Sequence, residues 1–378
     1  MRQMHHVMCA ALLVAGCGGK GAAFTNLFPD NKPEQIDLVL STVGDPSAIA
    51  DPVNGTGSPV AAVVLDEGKA IALVDLEKGK TIWKQAMAVD SIPAIGPGKV
   101  VVRSGDEIVA LDVSSGEKSW SRGLDEQYYY GAAFDSGLVI VTQGNTDGGL
   151  AATGRRGVVV ALDAGSGGKK WSVEVEKMLG APAARGGLAF IPWDRQSISI
   201  LDARSGDEVC RILRQDGTVD FVVAAPEGVF YGSKKDLMRL TPGAAGGTKE
   251  GAAHLDFDPE KMPGQPPLYA DTYESSKAVL GARARIRLLW SPAVESAEDS
   301  LALADGSVGF LYYSYVLSLD AASGGARWVY KSEKPLAWAS AANGGVFAIE
   351  ETGRIVFLAG GSGLPAEIGS IEGKAESA

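Results

Sequence analysis

The chain has 378 residues, of which 46% are hydrophobic and 21% are charged, with 49 glycines and 18 prolines. This balance is typical of a folded chain, and the many glycines and prolines indicate many turns between short strands. The net charge of −11 argues against nucleic acid or an anionic lipid surface as the main partner, because those need a broad basic face.

The first 16 residues resemble a secretory signal peptide. Residues 7–16 form an apolar run that is too short to span a bilayer, which takes about 20 residues. The run ends in Val14-Ala15-Gly16-Cys17, which resembles the lipobox of bacterial lipoproteins. This resemblance implies cleavage before Cys17 and a lipid anchor on its thiol. Gly18, being a residue other than Asp, implies the outer membrane with the protein facing the periplasm. An ordinary leader followed by an incidental cysteine is the alternative.

Residues 17–56 are predicted to form the lipidated N-terminus and a tether, rich in Pro, Asp and Asn, with one short apolar run at residues 36–40. Of the three cysteines, Cys9 leaves with the leader and Cys17 becomes the anchor, so only Cys210 remains in the body. No intrachain disulfide is then available, and the fold must depend on a large hydrophobic core.

One motif recurs along the chain: an aspartate, a glycine four residues later and a tryptophan four residues after that. The copies are Asp75-Gly79-Trp83, Asp112-Gly116-Trp120, Asp163-Gly167-Trp171, Asp320-Gly324-Trp328, and Asp202-Gly206 with Cys210 in place of the tryptophan. Weaker copies lie around Thr241 and residues 359–363. Asp163 and Asp202 are 39 residues apart, and the 79 residues from Thr241 to Asp320 leave room for two such units. This spacing predicts eight units, one of them hardly recognisable at 250–300, with seven as the alternative.

The motif has the properties of a hairpin. The aspartate accepts hydrogen bonds from backbone amides in a turn, the glycine adopts a positive φ, and the tryptophan on the next strand packs against a neighbouring unit. The flanking apolar residues alternate with a period of two, as in strands. Four short strands per unit predict an all-β protein, a β-propeller of four-stranded antiparallel blades over residues 57–370. A disordered tail is predicted for residues 371–378.

The copies resemble the propeller repeat of quinoproteins, with the consensus Ala-Leu-Asp-Ala-x-Thr-Gly-x-x-x-Trp, over about residues 60–365. That repeat occurs in dehydrogenases that use pyrroloquinoline quinone (PQQ), and also in cofactor-free members such as BamB, a lipoprotein of outer-membrane protein assembly. The dehydrogenases hold the quinone between a tryptophan and a disulfide of adjacent cysteines, beside Ca²⁺ and a carboxylate base. This sequence has no Cys-Cys pair. We therefore expect no catalytic residue, no cofactor and no metal.

The other chemistry-bearing residues are few. His254 is the only histidine beyond the leader, so a histidine-based metal cluster or a Ser-His-Asp triad would depend on it alone. Asp256, Asp258 and Glu260 alternate but lack the spacing and the glycine of an EF-hand. These residues are interpreted as parts of solvated loops.

Two long irregular stretches are candidates for partner binding. Residues 143–157 extend the loop between the second and third strands of one blade and carry Arg155 and Arg156. Residues 242–272 are interpreted as a connection between blades, which would lie on the same propeller face. Drift in tolerant loops is the alternative.

A second candidate surface is a stripe of alternating arginines, Arg283, Arg285 and Arg287, which as a strand would share one face. The stripe is suited to a partner's carboxylates, or to acids of the protein itself.

These observations predict a non-catalytic scaffold that faces the periplasm, a monomer within a complex of unidentified envelope proteins, in a role such as outer-membrane protein assembly. A propeller enzyme, or a sensor that binds a small molecule or glycan, is the alternative.

We expect Cys17→Ser to release the protein from the membrane fraction, because two or more acyl chains on that cysteine are the predicted anchor. Metabolic labelling with palmitate and fractionation of the two variants test this. A wild-type protein that incorporates no label contradicts the prediction.

Overall fold

The computed structural model describes residues 24–25, 31–45, 58–145, 154–214, 218–225, 228–233, 236–240, 252–255, 286–288, 307–312, 315–320, 326–342 and 344–376. The predicted signal peptide, Cys17, Arg283, Arg285 and Gly324 lie outside these residues. For His254, Arg287 and Asp320 the backbone alone is described.

The described strands form seven antiparallel sheets, which are the blades in chain order. Blade 1 has three strands: β1 (Val60–Leu65), β2 (Ala70–Asp75) and β3 (Lys80–Ala86). Blade 2 contains β4 (Ala94–Gly96), β5 (Lys99–Ser104), β6 (Glu107–Asp112) and β7 (Lys118–Gly123), and blade 3 contains β8 (Tyr128–Asp135), β9 (Leu138–Gly144), β10 (Gly157–Asp163) and β11 (Lys169–Val175). Blade 4 contains β12 (Ala183–Arg185), β13 (Leu188–Trp193), β14 (Ser197–Asp202) and β15 (Glu208–Leu213).

The remaining blades repeat the same order of strands. Blade 5 contains β16 (Phe221–Ala225), β17 (Gly228–Ser233), β18 (Asp236–Leu240) and β19 (Ala252–Leu255). Blade 6 contains β20 (Ile286–Leu288), β21 (Ser307–Tyr312), β22 (Tyr315–Asp320) and β23 (Ala326–Lys331), and blade 7 contains β24 (Leu336–Ala342), β25 (Gly345–Glu350), β26 (Arg354–Ala359) and β27 (Pro365–Ser370). The prediction of an all-β propeller with four-stranded antiparallel blades is confirmed.

The blade count depends on whether residues 250–300 form a blade of their own. The unit predicted there has no sheet of its own among the described residues, because β19 is the last strand of blade 5 and β20 is the first strand of blade 6. The seven described sheets match the count that was the alternative. The stretch 242–272 is therefore not one connection between blades. Its first part joins the third and fourth strands of blade 5, and β19 interrupts it.

The recurring motif locks neighbouring blades together. Trp83 of blade 1 donates its indole N–H to the carbonyl of Val113 in blade 2, with 2.7 Å between the heavy atoms. A Cβ on Gly116 would lie 2.6 Å from Cδ2 of that indole, so this glycine allows the ring to reach the turn. Three further pairs repeat the contact: Trp120 with Gly167, Trp171 with Gly206, and Trp328 with Gly363. Trp83, Trp120 and Trp328 are buried, whereas Trp171 is partly exposed.

The aspartate of the motif holds the turn. In blade 2, Asp112 Oδ1 accepts hydrogen bonds from the backbone N–H and the hydroxyl of Ser114, and Lys99 Nζ lies 3.1 Å from Oδ2. The Ser114 hydroxyl bond is the largest cause that lowers the pKa of Asp112 to about 2. The carboxylate thus stays ionised and fixes the turn that presents the glycine to the preceding blade.

The C-terminal segment completes the ring at blade 1. Backbone N–H groups of Asp66 and Glu376 donate to the carbonyls of Lys374 and Val64 at 2.9 and 3.0 Å. Ala375 is fully buried and also donates to Glu351 of blade 7. The disordered tail predicted for residues 371–378 therefore does not hold for residues 371–376, because their backbone groups are paired with two blades.

Part of the predicted tether forms a helix, α1 (Pro33–Val43), that packs on the propeller. The helix begins with Pro33 at its first position and ends before Gly44. Ile36, Val39 and Val43 are fully buried and share a cluster with residues of blades 4 and 5. The apolar run at residues 36–40 thus contributes to the buried face of a helix. Among the described residues, no helix is long and apolar enough to cross a membrane.

We expect Gly116→Ala to lower the free energy of unfolding by about 3 kcal/mol, combining the cost of a left-handed alanine with the overpacking of Trp83. Gly105→Ala is the matched control, because Gly105 has a similar φ of 60° but open space around it. The control should lose only about 1 kcal/mol, the backbone term alone. Urea titrations measure both, and equal losses would show that the glycine does not seat the indole.

Candidate functional site

The loops between second and third strands and the connections between blades lie on one face of the propeller, here called the loop face. Backbone contacts join them: Leu124 N donates to Asp106 O at 3.0 Å, and Asp194 N donates to Met178 O at 2.8 Å. The predicted insertion lies here, because it joins β9 to β10, whose end residues Gly144 and Gly157 pair with each other. Residues 146–153 of this insertion lie outside the described residues.

Arg155 is held by a carboxylate of the next blade. Its Nη1 lies 3.3 Å from Asp194 Oδ1, and Lys177 Nζ lies 3.2 Å from the other oxygen. Asp194 Oδ1 also accepts the backbone N–H of Met178 at 3.1 Å. Asp194 has a φ of 47°, a left-handed conformation that aspartate tolerates better than most residues. This carboxylate therefore connects blades 3 and 4 on the loop face.

Arg156 lies between two glutamates. Its Nε is 3.0 Å from Glu126 and its Nη2 is 3.0 Å from Glu174. The backbone N–H of Arg156 donates to Asn145 Oδ1 at 2.9 Å, which closes the base of the insertion. The side chain remains 53% exposed. Its charge is matched by the protein's own acids, while its guanidinium stays accessible from solvent.

A buried polar pair lies at the end of blade 3 next to these ion pairs. Gln143 is fully buried, and its Oε1 accepts the backbone N–H groups of Asp125 and Glu126 at 2.7 and 3.0 Å. Its Nε2 has no hydrogen-bond partner, nor does the hydroxyl of Tyr129, the residue opposite it in the sheet. Burial raises the pKa of Tyr129 well above its usual range. A buried donor without a partner is costly for a fold, so this pair carries a free-energy cost at the end of blade 3.

A shallow cavity of about 700 Å³ opens beside this cluster and is lined by Gly154, Arg155, Arg156, Glu174, Val175 and Glu176. We call Gln143, Arg155, Arg156, Glu174 and Asp194 the blade 3–4 cluster. Its charges alternate in sign, and it contains no nucleophile paired with a general base. The cluster presents charges of both signs that are suited to contact with a polar surface.

The other predicted binding residues are not brought to this cluster by the described structure. Of the arginine stripe, only the backbone of Arg287 is described, where it pairs with Leu311 inside blade 6. Cys210, in the tryptophan position of blade 4, is buried, and desolvation raises the pKa of its thiol to about 12. It therefore behaves as a small apolar side chain.

The propeller axis offers different chemistry. A cavity of about 220 Å³ is lined by innermost strands and by β1, with alanines from blade after blade. These alanines are Ala61, Ala94, Ala133, Ala184, Ala224 and Ala339. Ser340 is the sole polar side chain in the described lining, and its hydroxyl has no partner.

This lining lacks the groups that the quinone cofactor of PQQ-dependent dehydrogenases requires. PQQ carries several carboxylates, and a quinoprotein site adds a metal and a base. The described axis residues supply neither a cation nor a carboxylate. Nowhere in the described part of the chain do three His, Cys, Asp or Glu residues converge as metal ligands do. The described axis does not fit PQQ.

Comparison with known proteins shows which proteins the repeat resembles. The family model described as outer membrane protein assembly factor BamB matches residues 66–152 and 134–236. Among curated sequences, none matches the chain. The chain is a β-propeller of PQQ-like repeats that is similar to BamB.

Solved structures align with the chain at low identity, and the two whose TM-scores reach 0.5 show the same fold. BamB from Moraxella catarrhalis aligns with a TM-score of 0.44 at 14% identity, covering 82% of this chain and 83% of that one. The designed protein Ika8 aligns with 0.51 at 10%, covering 87% and 92%. The dihydro-heme d1 dehydrogenase NirN aligns with 0.50 at 13%, covering 84% of this chain and 64% of that one. At such identities the likeness shows the fold and not an activity.

We expect Asp194→Asn to lower the free energy of unfolding by about 1–2 kcal/mol, because charge-assisted bonds to Arg155 and Lys177 are lost while the left-handed backbone is kept. Glu174→Gln is the control, because its side chain is 66% exposed and its ion pair should contribute under about 1 kcal/mol. Chemical denaturation of both variants gives the comparison. A loss at Glu174 as large as that at Asp194 would mean that the cluster does not join the blades.

Proposed function

We propose that this propeller is a non-catalytic scaffold of the cell envelope, anchored through Cys17 to the outer membrane and facing the periplasm. In this role it binds envelope proteins, in the manner of a BamB-like factor of outer-membrane protein assembly. In this proposal it acts as a monomer within a complex of envelope proteins.

One observation carries the proposal. The axis, where the fold could enclose a small molecule, is lined by alanines and other apolar side chains in the described structure, whereas the polar groups are concentrated on the loop face. Exposed loops on a rigid scaffold are common binding elements. The match of the BamB family model to residues 66–236 supports the same role.

The blade 3–4 cluster is the proposed contact surface. Its arginines are already paired with acids, so a partner would exchange these ion pairs for its own and would not meet a free positive patch. Polar interfaces of this kind contribute more to specificity and register than to affinity.

The proposal is tested by replacing residues 145–156 with an Asn-Gly dipeptide. Since Gly144 and Gly157 are opposite each other, a two-residue turn closes this hairpin in register, and the fold should be kept. The free energy of unfolding should fall by about 1–2 kcal/mol, because the ion pairs of Arg155 and Arg156 are lost. Affinity purification of the lipidated protein from membranes, with mass spectrometry, should then recover clearly less of the co-purifying envelope proteins. Replacing Gly105-Asp106 of blade 2 with the same dipeptide is the control, because it alters a loop of that face in another blade.

Two results would overturn the proposal. Equal recovery of partners by both loop variants would remove the blade 3–4 cluster as the contact surface. Turnover in a dye-reduction assay with PQQ and Ca²⁺ would contradict the non-catalytic role directly, and would favour the alternative of a propeller enzyme.

A further inference from the structure

The N-terminal segment contacts the propeller at a point in the sequence that is much closer to the predicted anchor than a 40-residue tether implies. Phe24 is only 4% exposed and packs edge-on against Trp193, with ring centroids 6.0 Å apart. It belongs to the cluster between blades 3 and 4. The hydroxyl of Thr25 accepts a hydrogen bond from Arg211 Nη1 at 2.9 Å. The chain is thus fixed to the propeller from residue 24.

The same segment covers the outer edge of blade 4. Asn31 uses both ends of its amide on the backbone of Arg211: Oδ1 accepts its N–H at 3.0 Å, and Nδ2 donates to its carbonyl. Gln35 Nε2 donates to the carbonyl of Val209 at 2.8 Å. These side chains satisfy backbone groups of β15 as a fifth strand would. The contact is therefore specific in register and does not resemble loose adsorption.

Helix α1 can pack on the propeller because blade 4 lacks the tryptophan of the motif. Cys210 occupies that position and shares a buried cluster with Ile36, Val39 and Val43. At its C-terminal end the helix is held by Arg185, whose Nε donates to the carbonyl of Val43 at 2.7 Å. The smaller side chain leaves volume between blades 4 and 5 that the helix fills.

This docking sets how far the propeller can move from the anchor. Phe24 lies seven residues after Cys17, a span of at most about 25 Å when fully extended. A folded body of this length has a radius of gyration of about 20 Å and hence a diameter of about 50 Å. The tether is too short for the far side of the ring, blades 7 and 1, to turn towards the bilayer.

We propose that the sector of blades 3 and 4 is the membrane-facing surface of this protein, held against the lipid headgroups by a tether of seven residues. This inference rests on the proposed lipid anchor at Cys17. It places the blade 3–4 cluster beside the membrane, because Trp193, which contacts Phe24, directly precedes Asp194. A partner bound there would be a membrane-embedded or membrane-adjacent protein.

The test compares two single labels on the lipidated protein. Ser172→Cys and Ser370→Cys are matched, because both serines are exposed on the outermost strands of blades 3 and 7. Cys17 is acylated, and buried Cys210 should react slowly because the pKa of its thiol is raised to about 12. Each variant receives a bimane label and is reconstituted in vesicles of phosphatidylethanolamine and phosphatidylglycerol that contain a phospholipid with a nitroxide headgroup.

We expect strong quenching of the label at position 172 and little at position 370. Inserting 30 Gly/Ser residues after Lys20 should remove the difference, because a flexible linker of that length adds about 30 Å of reach on average. Phe24→Asp should reduce it, because releasing the buried Phe24 from Trp193 lengthens the free tether, while Leu38→Asp, at a position 60% exposed, should not. If Phe24→Asp fails to fold, the linker variant still decides.

The outcomes separate the two proposals. Protein that does not associate with vesicles at all contradicts the lipid anchor, and the orientation with it. Protein that associates but shows equal quenching at both positions, or a difference that survives the linker, overturns the orientation and leaves the anchor intact.

Discussion

The structure depends on an indole seated on a glycine of the following blade. The tryptophan is displayed by a β-bulge, which shifts the register of the last two strands of the blade. The shift lies next to Leu73, Ala110, Ala161 and Ser318 in the four blades that carry the tryptophan. The glycine needs both a positive φ and the absence of a Cβ. In three of the four pairs an aspartate four residues before the glycine holds that turn, whereas Ala359 precedes Gly363. One short motif thereby specifies a turn inside one blade and a contact with the preceding blade. Repetition of this contact turns separate sheets into one ring.

The positions where the contact is absent show what replaces it. At blade 4, Cys210 leaves a gap that α1 fills with three buried aliphatic side chains. At the closure between blades 7 and 1, Gly79 faces Gly369, and a Cβ on Gly79 would lie 2.8 Å from the Cα of Gly369. Here two backbones approach directly, and the C-terminal segment adds hydrogen bonds to both blades. At these two places an element from a chain terminus replaces the contact of the repeat.

The sequence predicts the parts of the fold that side chains encode. The spacing of Asp112, Gly116 and Trp120 predicts the turn and the packing, and the extra residues before Asp163 predict a loop between the second and third strands of blade 3, which is where the structure places it. The helix is different, because Pro33 and the spacing of Ile36, Val39 and Val43 are a signal that is easily assigned to a tether within a Pro- and Asp-rich stretch.

The remaining features are carried by the backbone or by distant pairs. Residues 374–376 bind through N–H and C=O groups, which any residues there would offer, so their composition predicts a tail. Arg155 and Arg156 are visible in the sequence as cations, but their acids come from positions up to 39 residues away, at Asp194. The sequence shows that a residue is charged but not whether the charge is already paired within the protein. An unpaired charge can attract a partner, whereas a paired surface charge mainly keeps the protein soluble.

A closed ring leaves such a protein two places to act, the axis and the loops. In the described structure the axis is narrow and apolar, and alanines at equivalent positions of successive blades let the innermost strands approach one another. Loop-face chemistry is concentrated at blades 3 and 4, and the N-terminal segment reaches the propeller in this same sector. In the arrangement that we propose, anchoring and recognition act on one side of the ring. A short tether would restrict rotation, so that a partner would meet a fixed orientation of the cluster and not an average over all orientations, which would raise the effective concentration of the matching surface without any added contact.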